Sequence, residues 1–180
     1  IINNKEDYIH TLIESYRIFA SDRDNITFDY QGSDQDFFGT DDGYIKNKIG
    51  VFDKQAAGKY NSPNPHGGGT AYMNAVDKDG MGISLIQSNF YGIGSRIGVG
   101  SYGFFLHNRG CGFNLIESHP NCLGPNKKPL HTLSPTIWSK DGSLDFITGT
   151  RGGRYQPQLL AQHILPYILG KFSFEEIVEK

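Results

Sequence analysis

The chain has 180 residues, enough for one compact domain with a hydrophobic core. Its 17 Lys and Arg and 19 Asp and Glu are interspersed, leaving neither a basic track for nucleic acid nor an acidic tail. No apolar run is long enough to span a bilayer, and the polar residues 1–8 do not form a signal peptide, although one could lie upstream of a chain that begins mid-protein.

Residues 8–21 predict an amphipathic helix, with Ile9, Leu12, Ile13, Tyr16 and Phe19 or Ala20 along one stripe. Residues 22–42 are polar and predict mostly loop, and residues 43–58 predict a second helix. Residues 61–69, with two prolines and three glycines, cannot be regular structure. Residues 70–76 and 81–87 flank Asp77-Lys78-Asp79-Gly80 and predict a β-hairpin. Residues 103–107 are a further strand candidate. Residues 136–139 and 144–148 flank Lys140-Asp141-Gly142 and predict a second hairpin. Residues 156–169 predict a helix that Pro166 should kink or shorten. Residues 173–180 predict another, with Ser173 as N-cap and Glu176 at the capping-box position. Helices, then antiparallel strands, then helices give an α+β fold class.

The 23 glycines concentrate between Gly67 and Gly153, which marks that region for a site. A phosphate loop, a Gly-x-Ser-x-Gly elbow, Cys-x-x-Cys and His-x-x-x-His are all absent, so no metal and no cofactor are expected. Cys111 and Cys122 make no disulfide framework and read as two free thiols, with one bridge in an oxidising compartment as the other reading.

Gly67-Gly68-Gly69-Thr70 has two readings. The plainer and more frequent is a glycine-rich loop entering a strand. The chemical one is self-cleavage before Thr70: the threonine hydroxyl attacks the carbonyl just upstream, and the released α-amine then serves as its base. Gly149-Thr150-Arg151-Gly152-Gly153 is either a strand-to-helix turn or a pair of backbone amides aimed at an oxyanion. His131, Thr132 and Ser134, set between apolar residues, line a pocket or satisfy loop backbone. Arg109 is a carboxylate clamp or a surface ion pair.

Taken together, these segments resemble the gamma-glutamyltransferase family. The match is carried by Thr70 to Asp77, Asp79-Gly80, Ser84-Leu85-Ile86-Gln87-Ser88, Gly103 to Phe113, Gly124 to Thr136 and Gly149 to Gly153, in order and at family spacing. The resemblance implies an αββα sandwich of the N-terminal-nucleophile hydrolase type and self-cleavage at the Gly69–Thr70 bond. It also implies a gamma-glutamyltransferase or glutathione hydrolase activity through an acyl-threonine, released to water or an amine. Thr70 would be the nucleophile, Gly152 and Gly153 the oxyanion amides, and Ser88 the hydroxyl that hydrogen-bonds the nucleophile. Arg109, Gly112, His131 and Thr132 would hold the substrate.

The same resemblance divides the chain into residues 1–69, the end of a large-subunit region, and residues 70–180, a small-subunit-like catalytic region, within one structural domain partial at both ends. The expected partners are a small-molecule gamma-glutamyl or glutaryl amide and the large-subunit remainder of the precursor. Nucleic acid is not expected, a homo-oligomer is compatible, and a cytoplasmic location is slightly favoured.

Departures from the family pattern are specific. Ala71-Tyr72 stands where the family usually has Thr-His, Gly112 where it has an acid for the substrate amine, His131-Thr132 where it has paired serines, and Phe90 where it has an asparagine. Arg109-Gly110-Cys111-Gly112-Phe113 resembles the cephalosporin and glutaryl acylase branch, so the alternatives are an acylase on a glutaryl-like group and a non-catalytic binding or scaffold homologue.

Overall fold

Two antiparallel β-hairpins organise the region that holds the predicted site. The computed structural model describes residues 5–20, 22–23, 27–29, 41–59 and 69–178. The chain divides into two units: Ile1–Asn64 with Gly110–His131, and Pro65–Arg109 with Thr132–Lys180. Among the described residues, no helix is long and apolar enough to cross a membrane.

In the first unit, α1 spans Lys5–Ala20 and α2 spans Asp42–Gly50. The predicted stripe of α1 is partly covered: Leu12, Tyr16 and Ala20 are half-buried, while Ile9, Ile13 and Phe19 are exposed and Glu14 and Ile18 are the buried residues. The Glu14 carboxylate tolerates burial because it is paired on both oxygens, accepting from Arg17 Nη1 at 3.1 Å and from the Gly58 N–H at 2.9 Å. At the start of α2, the Asp41 side chain caps the N–H groups of Gly43 and Tyr44. The helix ends eight residues short of the predicted 43–58 span. Beyond it, the Asp53 carboxylate takes the N–H groups of Gln55 and Ala56, giving the backbone a turn instead of a helix. The hydroxyl of Tyr44 donates to Asp22, which also pairs with Lys48. Burial first, and then the Asp22 carboxylate, push the Tyr44 pKa up to about 12.

In the second unit, β1 (Thr70–Val76) pairs antiparallel with β2 (Gly82–Ser88), in a register that sets Thr70 opposite Ser88 and Tyr72 opposite Ile86. The turn is held by Asp77, whose carboxylate accepts from the N–H groups of Asp79 and Met81, each at 2.9 Å. One face carries Thr70, Tyr72, Ser84, Ile86 and Ser88 and is half-buried or buried; Met73, Ile83 and Leu85 on the other are exposed. The second hairpin joins β3 (Thr136–Lys140) to β4 (Ser143–Thr148) through Asp141 and Gly142, both at positive φ, as a two-residue primed turn requires. Gly82 abuts this hairpin, since a Cβ there would stand 2.5 Å from Ile147 Cδ1.

The closing helices are α3 (Gln156–Ile168) and α4 (Phe174–Val178). Pro166 lies inside α3 without ending it at that point, because near the C-terminal end it removes a single ladder bond. Ser173 and Glu176 form the predicted capping box, with Ser173 N–H to Glu176 at 2.8 Å and Glu176 N–H to Ser173 Oγ at 3.3 Å. Trp138, Phe146, Tyr167 and Phe174 stack in one cluster that seats both helices on the second hairpin.

Residues 103–107 do not form the predicted strand. They return an irregular loop whose one bridge among the described residues pairs Gly98 with Phe105. A 3₁₀ turn over Gly100–Tyr102 and positive φ at Gly100 and Gly103 break the extended run. Gly94 anchors this loop: it is buried, has φ +84, and a Cβ there would lie 3.2 Å from His107 Cα.

Gly94→Ala should therefore destabilise the full-length protein by about 2–4 kcal/mol, from left-handed strain plus overpacking. Gly103→Ala, at φ +73 with open space around it, should cost only the strain, about 1 kcal/mol. Urea denaturation of both variants checks the order, and equal losses would show that the Gly94 contacts do not matter.

Candidate active site

The register of the first hairpin places two hydroxyls together. Thr70 Oγ1 donates to Ser88 Oγ at 3.0 Å. The same serine oxygen accepts from the Phe90 N–H at 3.1 Å, so both its lone pairs are engaged. Phe90 holds φ +77, which is uncommon for a bulky residue, and is buried. The Ser88 acceptor helps to keep that backbone in place.

The peptide bond before Thr70 is also held. The Gly69 N–H donates to the Gly92 carbonyl at 3.2 Å, and the Gly69 carbonyl accepts from the Asn89 N–H at 3.3 Å. A Cβ at Gly69 would lie 2.6 Å from the Gly92 oxygen, so the residue before Thr70 is glycine because the two backbones approach closely. Gly67 and Gly68 lie outside the described residues. The loop that presents Asn89 and Gly92 is closed by Asn108, whose side chain accepts from the Tyr91 N–H at 2.9 Å and donates to the Gly94 carbonyl at 3.1 Å.

Arg109 and Thr132 meet as well. Arg109 Nη1 donates to Thr132 Oγ1 at 3.3 Å, and the guanidinium carbon stands 5.4 Å from the centre of the Phe90 ring. Thr132 is buried. Arg109 Nη2 is buried with no hydrogen-bond partner among the described residues. Burial lowers the Arg109 pKa from its ordinary value, and the group stays cationic at neutral pH. A charged fork with one free arm over an aromatic face is suited to a carboxylate.

Gly152 (φ +131) and Gly153 (φ +55) form a turn that only glycine adopts readily. The Tyr155 N–H returns to the Gly152 carbonyl at 3.0 Å, and neither glycine N–H donates to a partner among the described residues. Immediately after the turn, fully buried Gln156 accepts from the Ser134 N–H at 2.8 Å, tying the 132–135 segment to the same place.

Gly112 and His131 belong to the other unit. There the Gly112 carbonyl accepts from buried Asn121 at 2.7 Å, and His131 is exposed. Both cysteines are free, Cys111 exposed and Cys122 half-buried. The grips of Asn89 and Gly92 on Gly69 and the loop-closing Asn108 escape the sequence reading. Asn108 had a faint signal, a lone amide among glycines that needs several backbone partners.

A sequence model of the gamma-glutamyltranspeptidase family matches residues 2–180. The chain is 36% identical over 156 residues to the glutathione hydrolase-like YwrD proenzyme of Bacillus subtilis (strain 168), covering 84% of this chain and 29% of that protein. It is 34% identical over 124 residues to the oxamate amidohydrolase proenzyme of Klebsiella pneumoniae, covering 66% and 24%. Among solved structures it is similar to the cephalosporin acylase of Bacillus halodurans, with a TM-score of 0.79 and 27% identity over 96% of this chain and 31% of that one. The chain thus spans less than a third of each of these relatives. Its fold is the α+β N-terminal-nucleophile hydrolase fold of these enzymes.

Ser88→Ala should cost about 1–3 kcal/mol by stranding the Phe90 N–H in its strained loop, whereas Ser88→Thr should keep most of that stability. Denaturation midpoints of the two variants check this, and a harmless alanine would show that the serine acceptor is dispensable.

Proposed function

The chain belongs to the gamma-glutamyltranspeptidase family, and from that premise we propose that it is the nucleophile-bearing part of a self-processed amide hydrolase or acyltransferase. The observation that carries the reading is Thr70, its hydroxyl bonded to Ser88 at 3.0 Å and its preceding carbonyl held by the Asn89 N–H. Residues 1–69 then end the large-subunit region and residues 70–180 begin the small one. The remainder of the precursor covers exposed apolar side chains such as Met73, Ile83 and Leu85.

In the self-cleavage step, Thr70 Oγ1 attacks the Gly69 carbonyl carbon, with the Asn89 N–H donating to the oxygen that gains charge. The Gly69–Thr70 C–N bond breaks, the hydroxyl proton ends on the Thr70 nitrogen, and water hydrolyses the resulting ester. The freed α-amine is then the base for the same hydroxyl. In turnover, Thr70 Oγ1 attacks a side-chain amide carbonyl whose oxyanion is held by the Gly152 and Gly153 N–H groups. The leaving amine departs protonated, and water or an acceptor amine releases the acyl group from Thr70. Ser88 keeps the nucleophile oriented throughout.

The donor is a gamma-glutamyl amide, as for the glutathione hydrolases of the family. A second reading, a dicarboxylic monoamide without an α-amine, is favoured by Arg109, whose cationic, unpartnered Nη2 suits a carboxylate and would repel an α-ammonium group. Gly112 adds no acid for an amine, and the relative from Klebsiella is named for an amidohydrolase of oxamate. Thr132 fixes Arg109 at the donor end.

Thr70→Ala should abolish both self-cleavage and turnover in the full-length protein, and Thr70→Ser should retain part of each. An alanine variant that still splits before residue 70 would sink the assignment. On paired anilides, the second reading expects the mature enzyme to cleave the glutaryl substrate at least as fast, by kcat/KM, as the gamma-glutamyl one. A gamma-glutamyl preference of tenfold or more, about 1.4 kcal/mol, would remove the second reading and leave the gamma-glutamyl donor.

A further inference from the structure

We propose that Tyr72 is a positioning residue that fixes the oxyanion turn, residues 149–153, at its working distance from Thr70. The inference rests on Thr70 as nucleophile and on Gly152 and Gly153 as oxyanion donors.

Tyr72 lies two residues after Thr70 on the same face of β1, about 7 Å along the strand. Its ring is held at both ends. The backbone is paired with Ile86, and the hydroxyl meets Ser84 Oγ, on the neighbouring strand, at 3.2 Å. The ring packs flat against Gly149. A Cβ built on Gly149 would fall 2.6 Å from Tyr72 Cδ2 and 2.8 Å from Cζ.

Gly149 is not among the glycines at positive φ, so its backbone conformation does not call for glycine. Space does: any side chain there would collide with an aromatic ring that cannot swing away without losing Ser84. The residue before it, Thr148, is also fixed, because its carbonyl accepts from Thr136 Oγ1 at 2.8 Å. Gly149 is therefore pinned between the second hairpin and the Tyr72 ring, and three residues later the chain reaches Gly152. The thickness of one aromatic ring sets the gap between the nucleophile strand and the turn that stabilises the oxyanion. A misplacement near 1 Å at such a site costs on the order of 10²-fold in rate.

A double-mutant cycle on the full-length protein tests this, with Tyr72→Ala, Gly149→Ala and the pair. The readouts are self-cleavage rate, kcat and KM on glutaryl anilide, and Tm. Each single change should lower kcat by about 10²-fold with KM within about threefold. The double variant should be no worse than the poorer single one, because the methyl of one change enters the space the other vacates. Tyr72→Phe should recover most of the kcat lost in Tyr72→Ala. If the two losses multiply, or if kcat follows Tm alone across the set, the ring is ordinary packing and the proposal is wrong. A wild type that neither splits nor turns over removes the Thr70 assignment, and the proposal with it. An active wild type whose Tyr72→Ala variant keeps its kcat removes the positioning role alone.

Discussion

The site depends on one serine oxygen that accepts two hydrogen bonds. Ser88 Oγ takes the Thr70 hydroxyl and the Phe90 N–H, at 3.0 and 3.1 Å. The first bond orients the Thr70 hydroxyl, the proposed nucleophile. The second holds Phe90 in a left-handed conformation, which sets its ring beneath the Arg109 guanidinium. One hydroxyl thereby couples the strand register, the proposed nucleophile and the cation that would meet the substrate. Its position follows from the pairing of Thr70 with Ser88 in β1 and β2, and a slip of one residue would turn both hydroxyls to the opposite face.

Close backbone approach is the second constraint. Gly69 and Gly149 flank the site from two directions, and neither is required by a positive φ. Gly69 lets the chain before Thr70 lie against Gly92, while Gly149 lets the turn after β4 lie against Tyr72. In both places a methyl group would separate elements whose spacing the proposed chemistry needs. Gly152 and Gly153 differ, since their φ values leave their amides in a turn closed to other residues without strain.

Much of this architecture is legible in the residues. The hairpins announce themselves by alternation and by Asp-containing turns, and the capping box of Ser173 and Glu176 stands as read. The errors have local causes. The stripe on α1 is outweighed by Glu14, a carboxylate that burial accepts only because Gly58 and Arg17 satisfy it. The second helix is cut short by Asp53, whose side chain competes for the backbone. The run of Phe104, Phe105 and Leu106 looks like a strand, but its flanking glycines bend it into a loop. Thr70, Ser88 and the Gly152-Gly153 turn are recognisable by resemblance. The bond from Arg109 to Thr132 and the wedge of Tyr72 on Gly149 are not, because each joins residues far apart in the chain and depends on tertiary packing.

The account stands on Thr70 becoming a chain terminus. Intact mass spectrometry of the purified full-length protein, with N-terminal sequencing of the smaller fragment, tests that most directly. The account predicts two fragments whose masses sum to the precursor plus one water, the smaller beginning at Thr70. A single uncut chain in a folded protein, or a new terminus at any other residue, would contradict it.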